Sequence, residues 1–263
     1  MWIPLFRLLT QLSSRKFISR ITGAFARSRF SRMLIPMFAR SYQIDIQEAE
    51  LPLEHYATLN SFFTRRLKPD VRVIDQTPRL LVSPVDAAIT GMGPIENGQL
   101  LQVKGQDYTV NQLLEDPLLG ATFANGWFFV LYLSPRDYHR IHAPIAGTVV
   151  VSRHMKGKVY PVNEFGLRQI KRVLSRNERL LTQLEGDAGE GHVAVIKVGA
   201  MNVSSIQYAH QPLPTQFERG EELAYFAFGS TVVLLTENRS FQPRVDLAIG
   251  SAVRMGEALG EFV

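Results

Sequence analysis

Hydrophobic and polar positions follow two rhythms along this chain. Up to about residue 40, apolar residues are interleaved with Arg and Lys, which predicts two or three short helices broken around Gly23 and at Pro36. Leu53–Leu67 reads as a further helix that ends before Pro69. After Arg72 the texture changes to short β-branched or aromatic runs between Gly, Pro and Asn turns. Leu80–Val82, Trp127–Leu133, Gly147–Ser152, His192–Val198 and Thr231–Thr236 are expected strands. One helical insert is expected at Val110–Leu114, and Asn163–Arg179, charged and without clean periodicity, reads as a long loop. No repeat or low-complexity linker divides the chain. The pattern therefore predicts an α+β protein: a β-rich body over residues 46–263 and a helical segment over residues 1–45.

Charge sharpens the picture of that first segment. Arg7, Arg15, Lys16, Arg20, Arg27, Arg29, Arg32 and Arg40 fall before the first acid, Asp45, whereas the whole chain carries only +5. The remainder is thus mildly acidic. A basic segment can bind nucleic acid, but these cations alternate with Trp2, Leu5, Phe6, Phe17, Phe25, Phe30, Leu34, Met37 and Phe38. Such a mixture suits an amphipathic element lying in an anionic lipid headgroup layer, and no nucleic-acid partner is expected. No run of about eighteen uncharged apolar residues occurs, so a spanning helix is not expected. Arg7, Arg15 and Lys16 also interrupt any secretory-signal core.

With no cysteine, a nucleophile must come from Ser, Thr, Lys or a carboxylate. Glu221–Leu235 reads as an apolar strand interrupted by Gly229-Ser230, either a β-bulge or a site where the Ser230 hydroxyl can reach the Gly229 carbonyl. Ser134-Pro135-Arg136-Asp137-Tyr138-His139-Arg140-Ile141-His142 carries two histidines that can act as acid and base near neutral pH. A metal pair lacks a clear third ligand, so no metal is expected. Ser83-Pro84-Val85-Asp86 places a lone carboxylate beside a turn, where capping is its ordinary use. Asp86, His142 and Ser230 are the residue types of an orienter, base and hydroxyl nucleophile.

Phe228-Gly229-Ser230-Thr231 resembles the self-cleavage motif of the phosphatidylserine decarboxylase family, usually Leu-Gly-Ser-Thr. The segment Ser134–His142 followed by Ala143-Pro144 resembles its histidine motif, Ser83–Asp86 its aspartate motif, and Asn60-Ser61-Phe62-Phe63-Thr64-Arg65 its Phe-Phe-Thr-Arg helix. The matches run in family order from about residue 56 to the C-terminus. Two positions depart: Phe228 replaces Leu, and Ala87 stands where Gly is common, a change that removes backbone freedom beside Asp86.

The resemblance implies a proenzyme that cleaves itself at Gly229-Ser230 into a β chain, 1–229, and an α chain, 230–263, with Ser230 becoming a covalent pyruvoyl group. His142, oriented by Asp86, would be the processing base. The pyruvoyl cofactor would form a Schiff base with phosphatidylserine, release CO2 and yield phosphatidylethanolamine, His139 donating the proton to carbon. The implied fold is a lipoyl-like sandwich or half-barrel, and His142–Gly147 with Met255-Gly256-Glu257 is similar to that architecture. Expected partners are membrane phosphatidylserine, an anionic membrane surface and the two chains of one precursor, with a homodimer as a candidate assembly. The expected location is peripheral, on the cytoplasmic face of the cell membrane. Gly199 and Ala200 resemble a Val-Gly-Ala segment lining the family site, and His55, His154, His192 and His210 match no motif. Competing readings are another self-processing pyruvoyl decarboxylase, an N-terminal-nucleophile hydrolase, or a non-enzymatic lipoyl-like module, although no lysine stands where such a module carries its modification.

Overall fold

The computed structural model describes residues 16–103, 105–162, 170–200, 206–227, 230–237 and 241–263, with backbone alone at 16–21, 100–103 and 230. The architecture is α+β and dominated by antiparallel strands. Ser230–Thr236 lies at the centre of a large sheet, hydrogen-bonded to Trp127–Leu133 on one side and His192–Val198 on the other. Beyond these lie Ala87–Glu96 on one flank and Arg179–Gly186 and Gly147–Met155 on the other, and the strand order does not close into a barrel. The central strand reads as an unbroken apolar run because both its faces are covered. Val232 and Leu234 enter one buried cluster with Phe129, Leu131 and Val195. Val233 and Leu235 enter another with Phe128, Val130 and Leu113.

Two three-stranded sheets pack around this frame. One joins Leu80–Val82, Ala258–Phe262 and Phe241–Pro243; the other joins Ile206–Tyr208, Glu222–Phe226 and Arg140–His142. The stretch expected as one strand interrupted by Gly-Ser is therefore two strands in two sheets. Glu222–Phe226 belongs to a small sheet and Ser230–Thr236 to the large one, so the chain changes sheets between them.

The helices follow local chemistry. Val110–Leu114 forms as expected because the Thr109 hydroxyl accepts from the Gln112 N–H and the Gln112 side chain bonds back to the Thr109 N–H, a capping box. A second capping box, between Thr58 and Ser61, starts a helix at Leu59 that runs only to Phe63. The helix expected over Leu53–Leu67 is thus a 3-10 turn at Leu53–His55 followed by this short helix. Lys16–Arg27 continues through Gly23 without the expected break, and Pro36 sits in the first turn of Ile35–Ser41, where its missing N–H costs nothing. The expected loop over Asn163–Arg179 instead contains the helical turn Val173–Arg176, and Arg179 opens a strand. Its residues 163–169 lie outside the described residues.

A third cluster joins Ile35, Ala39 and Ile44 to Tyr56, Leu59 and Phe62, tying the N-terminal helices to the helix that precedes Arg65. Large exposed apolar side chains concentrate on the outer side of this segment: Phe30, Met33 and Met37 are 80%, 77% and 62% exposed. Among the described residues, no helix is long and apolar enough to cross a membrane.

Candidate active site

Asp86 follows a bend held by the Ser83 hydroxyl, which donates to the Val85 carbonyl at 2.7 Å. The next residue, Ala87, pairs with Val253 as the first residue of its strand and has no left-handed backbone. Its methyl is therefore compatible with the site. The Asp86 carboxylate is buried and accepts three bonds from the Arg72 guanidinium, at 2.9 and 3.1 Å from Nε and 2.5 Å from Nη2. The Met255 N–H adds a fourth at 2.9 Å. The same Nη2 also reaches Glu48 at 2.8 Å.

His142 ends the strand Arg140–His142, and its N–H donates to the Pro84 carbonyl at 2.9 Å, which stitches the two motifs together. Its Nδ1 lies 2.7 Å from the Gly220 carbonyl oxygen, which can only accept. Nδ1 therefore carries the proton, and Nε2 holds a lone pair that receives the Tyr138 hydroxyl at 3.1 Å. Burial holds this imidazole below its ordinary pKa despite the opposing pull of the Gly220 carbonyl, so it is neutral at physiological pH. In this structure the ring contact of His142 Nδ1 is the Gly220 carbonyl, while the Asp86 carboxylate is bound to Arg72 and the Met255 N–H. The reason is that a guanidinium fork and a backbone donor satisfy a carboxylate through charge-assisted bonds. Gly220 itself has φ +82°, and a Cβ there would lie 2.3 Å from Ile74 Cδ1, so glycine is what lets its carbonyl face the ring.

His139 is fully buried, with Nδ1 2.8 Å from the Asp137 carbonyl and its ring centroid 3.9 Å from that of Phe63. Its Nε2 has no hydrogen-bond partner. Desolvation pushes its pKa down to about 3, against the Asp137 carbonyl, so this ring is also neutral, with Nε2 an acceptor. Asp137 anchors the segment by accepting from both the N–H and the hydroxyl of Ser134 at 2.7 Å.

The backbone leads from these histidines to position 230. The His139 carbonyl accepts the Phe226 N–H at 3.1 Å, at the end of Glu222–Phe226, and Ser230 pairs with Leu133, the residue before Ser134. Phe228 and Gly229 lie outside the described residues, as does the Ser230 side chain. Asp86, Tyr138, Ser134 and Asp137 line a cavity of ≈ 390 Å³ together with Arg65 and Arg72. Of the remaining histidines, His154 pairs with Glu178 and His192 with Glu237 at the surface. Gly199 accepts from Asn177 through its carbonyl, and Ala200 is buried.

Sequence reasoning missed Arg72, Gly220 and the use of Tyr138. Tyr138 sits inside the histidine motif and its spacing from His142, one strand segment away, was available. Arg72 and Gly220 meet their partners only through the fold, the latter from 78 residues away.

Comparison with known proteins places the chain in a family. The family model for phosphatidylserine decarboxylase matches residues 59–261. The phosphatidylserine decarboxylase proenzyme of Geobacillus kaustophilus (strain HTA426) is 42% identical over 256 residues, covering 97% of this chain and 96% of that protein. The proenzyme of Bacillus mycoides (strain KBAB4) is 41% identical over 259 residues, covering 98% and 97%. A family match across most of the chain, with relatives aligned nearly end to end, means that this chain belongs to the phosphatidylserine decarboxylase family.

Proposed function

We propose that the chain is a proenzyme that cleaves itself at Gly229-Ser230 and then decarboxylates phosphatidylserine to phosphatidylethanolamine. The observation that carries this reading is His142: a buried, neutral imidazole with its tautomer fixed, on a strand paired with the one that leads toward Ser230.

In the processing step, His142 Nε2 exchanges the Tyr138 hydroxyl for that of Ser230 and takes its proton. The Ser230 oxygen attacks the Gly229 carbonyl carbon, the C–N bond breaks, and the nitrogen of residue 230 gains a proton, so that the peptide becomes an ester. Loss of the Ser230 Hα with cleavage of its Cβ–O bond releases the Gly229 carboxylate and leaves dehydroalanine. Water then displaces ammonia, which gives chain 230–263 an N-terminal pyruvoyl group and leaves 1–229 as its partner.

The residues present fit such a group. The unpartnered Nε2 of buried His139 and the cavity beside the strand partner of position 230 offer a proton-handling atom and space. Once formed, the pyruvoyl ketone supplies the electron sink for the bond that CO2 leaves behind. His139, neutral in this state, returns a proton to the carbon that lost CO2, a proton its Nε2 gains only in the substrate-bound site. The Arg72–Asp86 pair keeps one wall of the cavity rigid while this occurs.

The exposed Phe30, Met33 and Met37, on a segment rich in arginine, support peripheral attachment to an anionic leaflet, which on the cytoplasmic face is where phosphatidylserine headgroups would meet the cavity. The one large and two small antiparallel sheets support reading the fold as the expected lipoyl-like sandwich or half-barrel. The test is direct: purified wild type given phosphatidylserine vesicles should release CO2 and form phosphatidylethanolamine, and Ser230→Ala should do neither. Wild type inactive on phosphatidylserine would overturn the reading.

A further inference from the structure

Arg65 is 4% exposed, yet only its Nη2 has a partner, the Arg136 carbonyl at 3.3 Å. Nε and Nη1 make no hydrogen bond. Other buried guanidiniums among the described residues have carboxylates within 4 Å: Arg72 has Asp86 and Glu48, Arg179 has Glu115, and Arg219 has Glu190. Arg65 has none there. The Phe62 ring lies 5.3 Å from this guanidinium, and Asp86 and Glu48 act on it only at longer range. A buried cation with no direct ion pair and two donors idle is expensive, so retaining one calls for an anion that arrives later. Arg65 lines the ≈ 390 Å³ cavity that also holds Asp86 and Tyr138.

We propose that Arg65 binds the phosphodiester of the lipid headgroup. This rests on the decarboxylase reading and names the residue that seats its substrate. A guanidinium edge matches two oxygens of a phosphodiester or a carboxylate equally well, but the two sources differ in what the reaction does to them. The carboxylate loses its charge as CO2 departs, so a cation fixed on it would stabilise the ground state more than the transition state and slow the reaction. The phosphodiester keeps its charge throughout. Position agrees: Arg65 follows the Leu59–Phe63 helix, whose Phe62 packs with Ile35 and Ala39 and whose Phe63 lies 6.2 Å from Phe38. That helix therefore rests directly on the segment exposing Phe30, Met33 and Met37. A phosphate at Arg65 would leave the acyl chains on that side and the serine moiety in the cavity lined by Ser134 and Tyr138.

The test uses full-length Ser230→Ala protein, which has no pyruvoyl group to react with amines. Calorimetric titration with sn-glycero-3-phosphoethanolamine, which has the phosphodiester without a carboxylate, should give binding that inorganic phosphate competes. L-serine, which has the carboxylate without the phosphodiester, should give none. Adding Arg65→Lys should weaken glycerophosphoethanolamine binding on the order of tenfold, because the charge remains but the fork is lost, and Arg65→Gln should weaken it further. Thermal melts check that these variants fold; if Arg65→Gln does not, Arg65→Lys and the ligand comparison in the parent decide. Serine binding as well as glycerophosphoethanolamine, absence of glycerophosphoethanolamine binding, or folded Arg65 variants binding within twofold of the parent would each overturn the proposal. Wild type that releases CO2 alongside such a result would leave the decarboxylase reading standing, whereas wild type that neither cleaves nor releases CO2 would remove that reading itself.

Discussion

The Nδ1–H of His142 donates to the Gly220 carbonyl oxygen at 2.7 Å, and this one contact decides which ring nitrogen can act as a base. In the familiar hydroxyl-nucleophile triad a carboxylate does that work. In this structure a backbone carbonyl on a left-handed glycine holds Nδ1, and the carboxylate of Asp86 is bonded to Arg72.

Roles within the histidine segment should therefore separate by variant. His142→Ala should accumulate uncut chain. Tyr138→Phe should still be cut, because it frees Nε2 without disturbing the Gly220 contact. His139→Ala should be cut but lose turnover by a factor of about 10²–10⁴, typical of a lost proton-transfer group. Fragment pattern on denaturing gels, carbonyl labelling and CO2 release read these independently. An uncut His139→Ala beside a normally cut His142→Ala would reverse the assignment.

The Arg72–Asp86 pair is largely out of solvent, its side chains 8% and 11% exposed. Removing one partner strands the other, so Arg72→Gln should destabilise the uncut chain by about 3 kcal/mol. The double variant with Asp86→Asn should recover part of that loss. Urea midpoints of the four proteins of this cycle, in a Ser230→Ala background, measure the coupling; additive losses would mean the pair contributes nothing as a pair.

Burial lowers both imidazoles, and the sign of the pH effect follows. The unfolded chain takes up protons below about pH 6.5 while folded His139 does not until about 3. Stability from these groups is thus fully present above pH 6.5 and declines as pH falls through that window. The melting temperature should fall with acid more steeply in wild type than in His139→Phe, which keeps a ring against Phe63 but cannot titrate. Self-cleavage should stay level from pH 8 to 6.5 and decline only below, since His142 must remain neutral. A cleavage rate already halved at pH 7 would contradict this.

Replacing Phe30, Met33 and Met37 together by Ser should weaken binding to vesicles containing phosphatidylserine without lowering the melting point, because these side chains are exposed. Added salt should weaken wild-type binding through screening of the arginines. Vesicle sedimentation reads both; undiminished binding by the triple variant would make these residues ordinary surface.

How much of this was legible in the sequence depended on the range of the interaction. Trp127–Leu133 and His192–Val198 were readable because a strand covered on both faces is a continuous apolar run. Val110–Leu114 was readable because its capping residues are its own neighbours. Arg179–Gly186 was hidden because Arg179, Thr182 and Gln183 are polar yet buried, and only the fold supplies partners such as the Leu113 carbonyl and Glu115 for Arg179. The same holds at the site. The motifs named Asp86, His139 and His142, but the partner of Asp86 lies 14 residues away and that of His142 78 residues away, distances at which no spacing rule operates.

The intact mass of the purified, denatured wild-type protein is the plainest check on self-processing. Two fragments meeting between Gly229 and Ser230, the smaller lighter than residues 230–263 by the change from an N-terminal serine to a pyruvoyl group, with Ser230→Ala remaining one chain, is the result expected. A single uncut wild-type chain that still converts phosphatidylserine to phosphatidylethanolamine would contradict it.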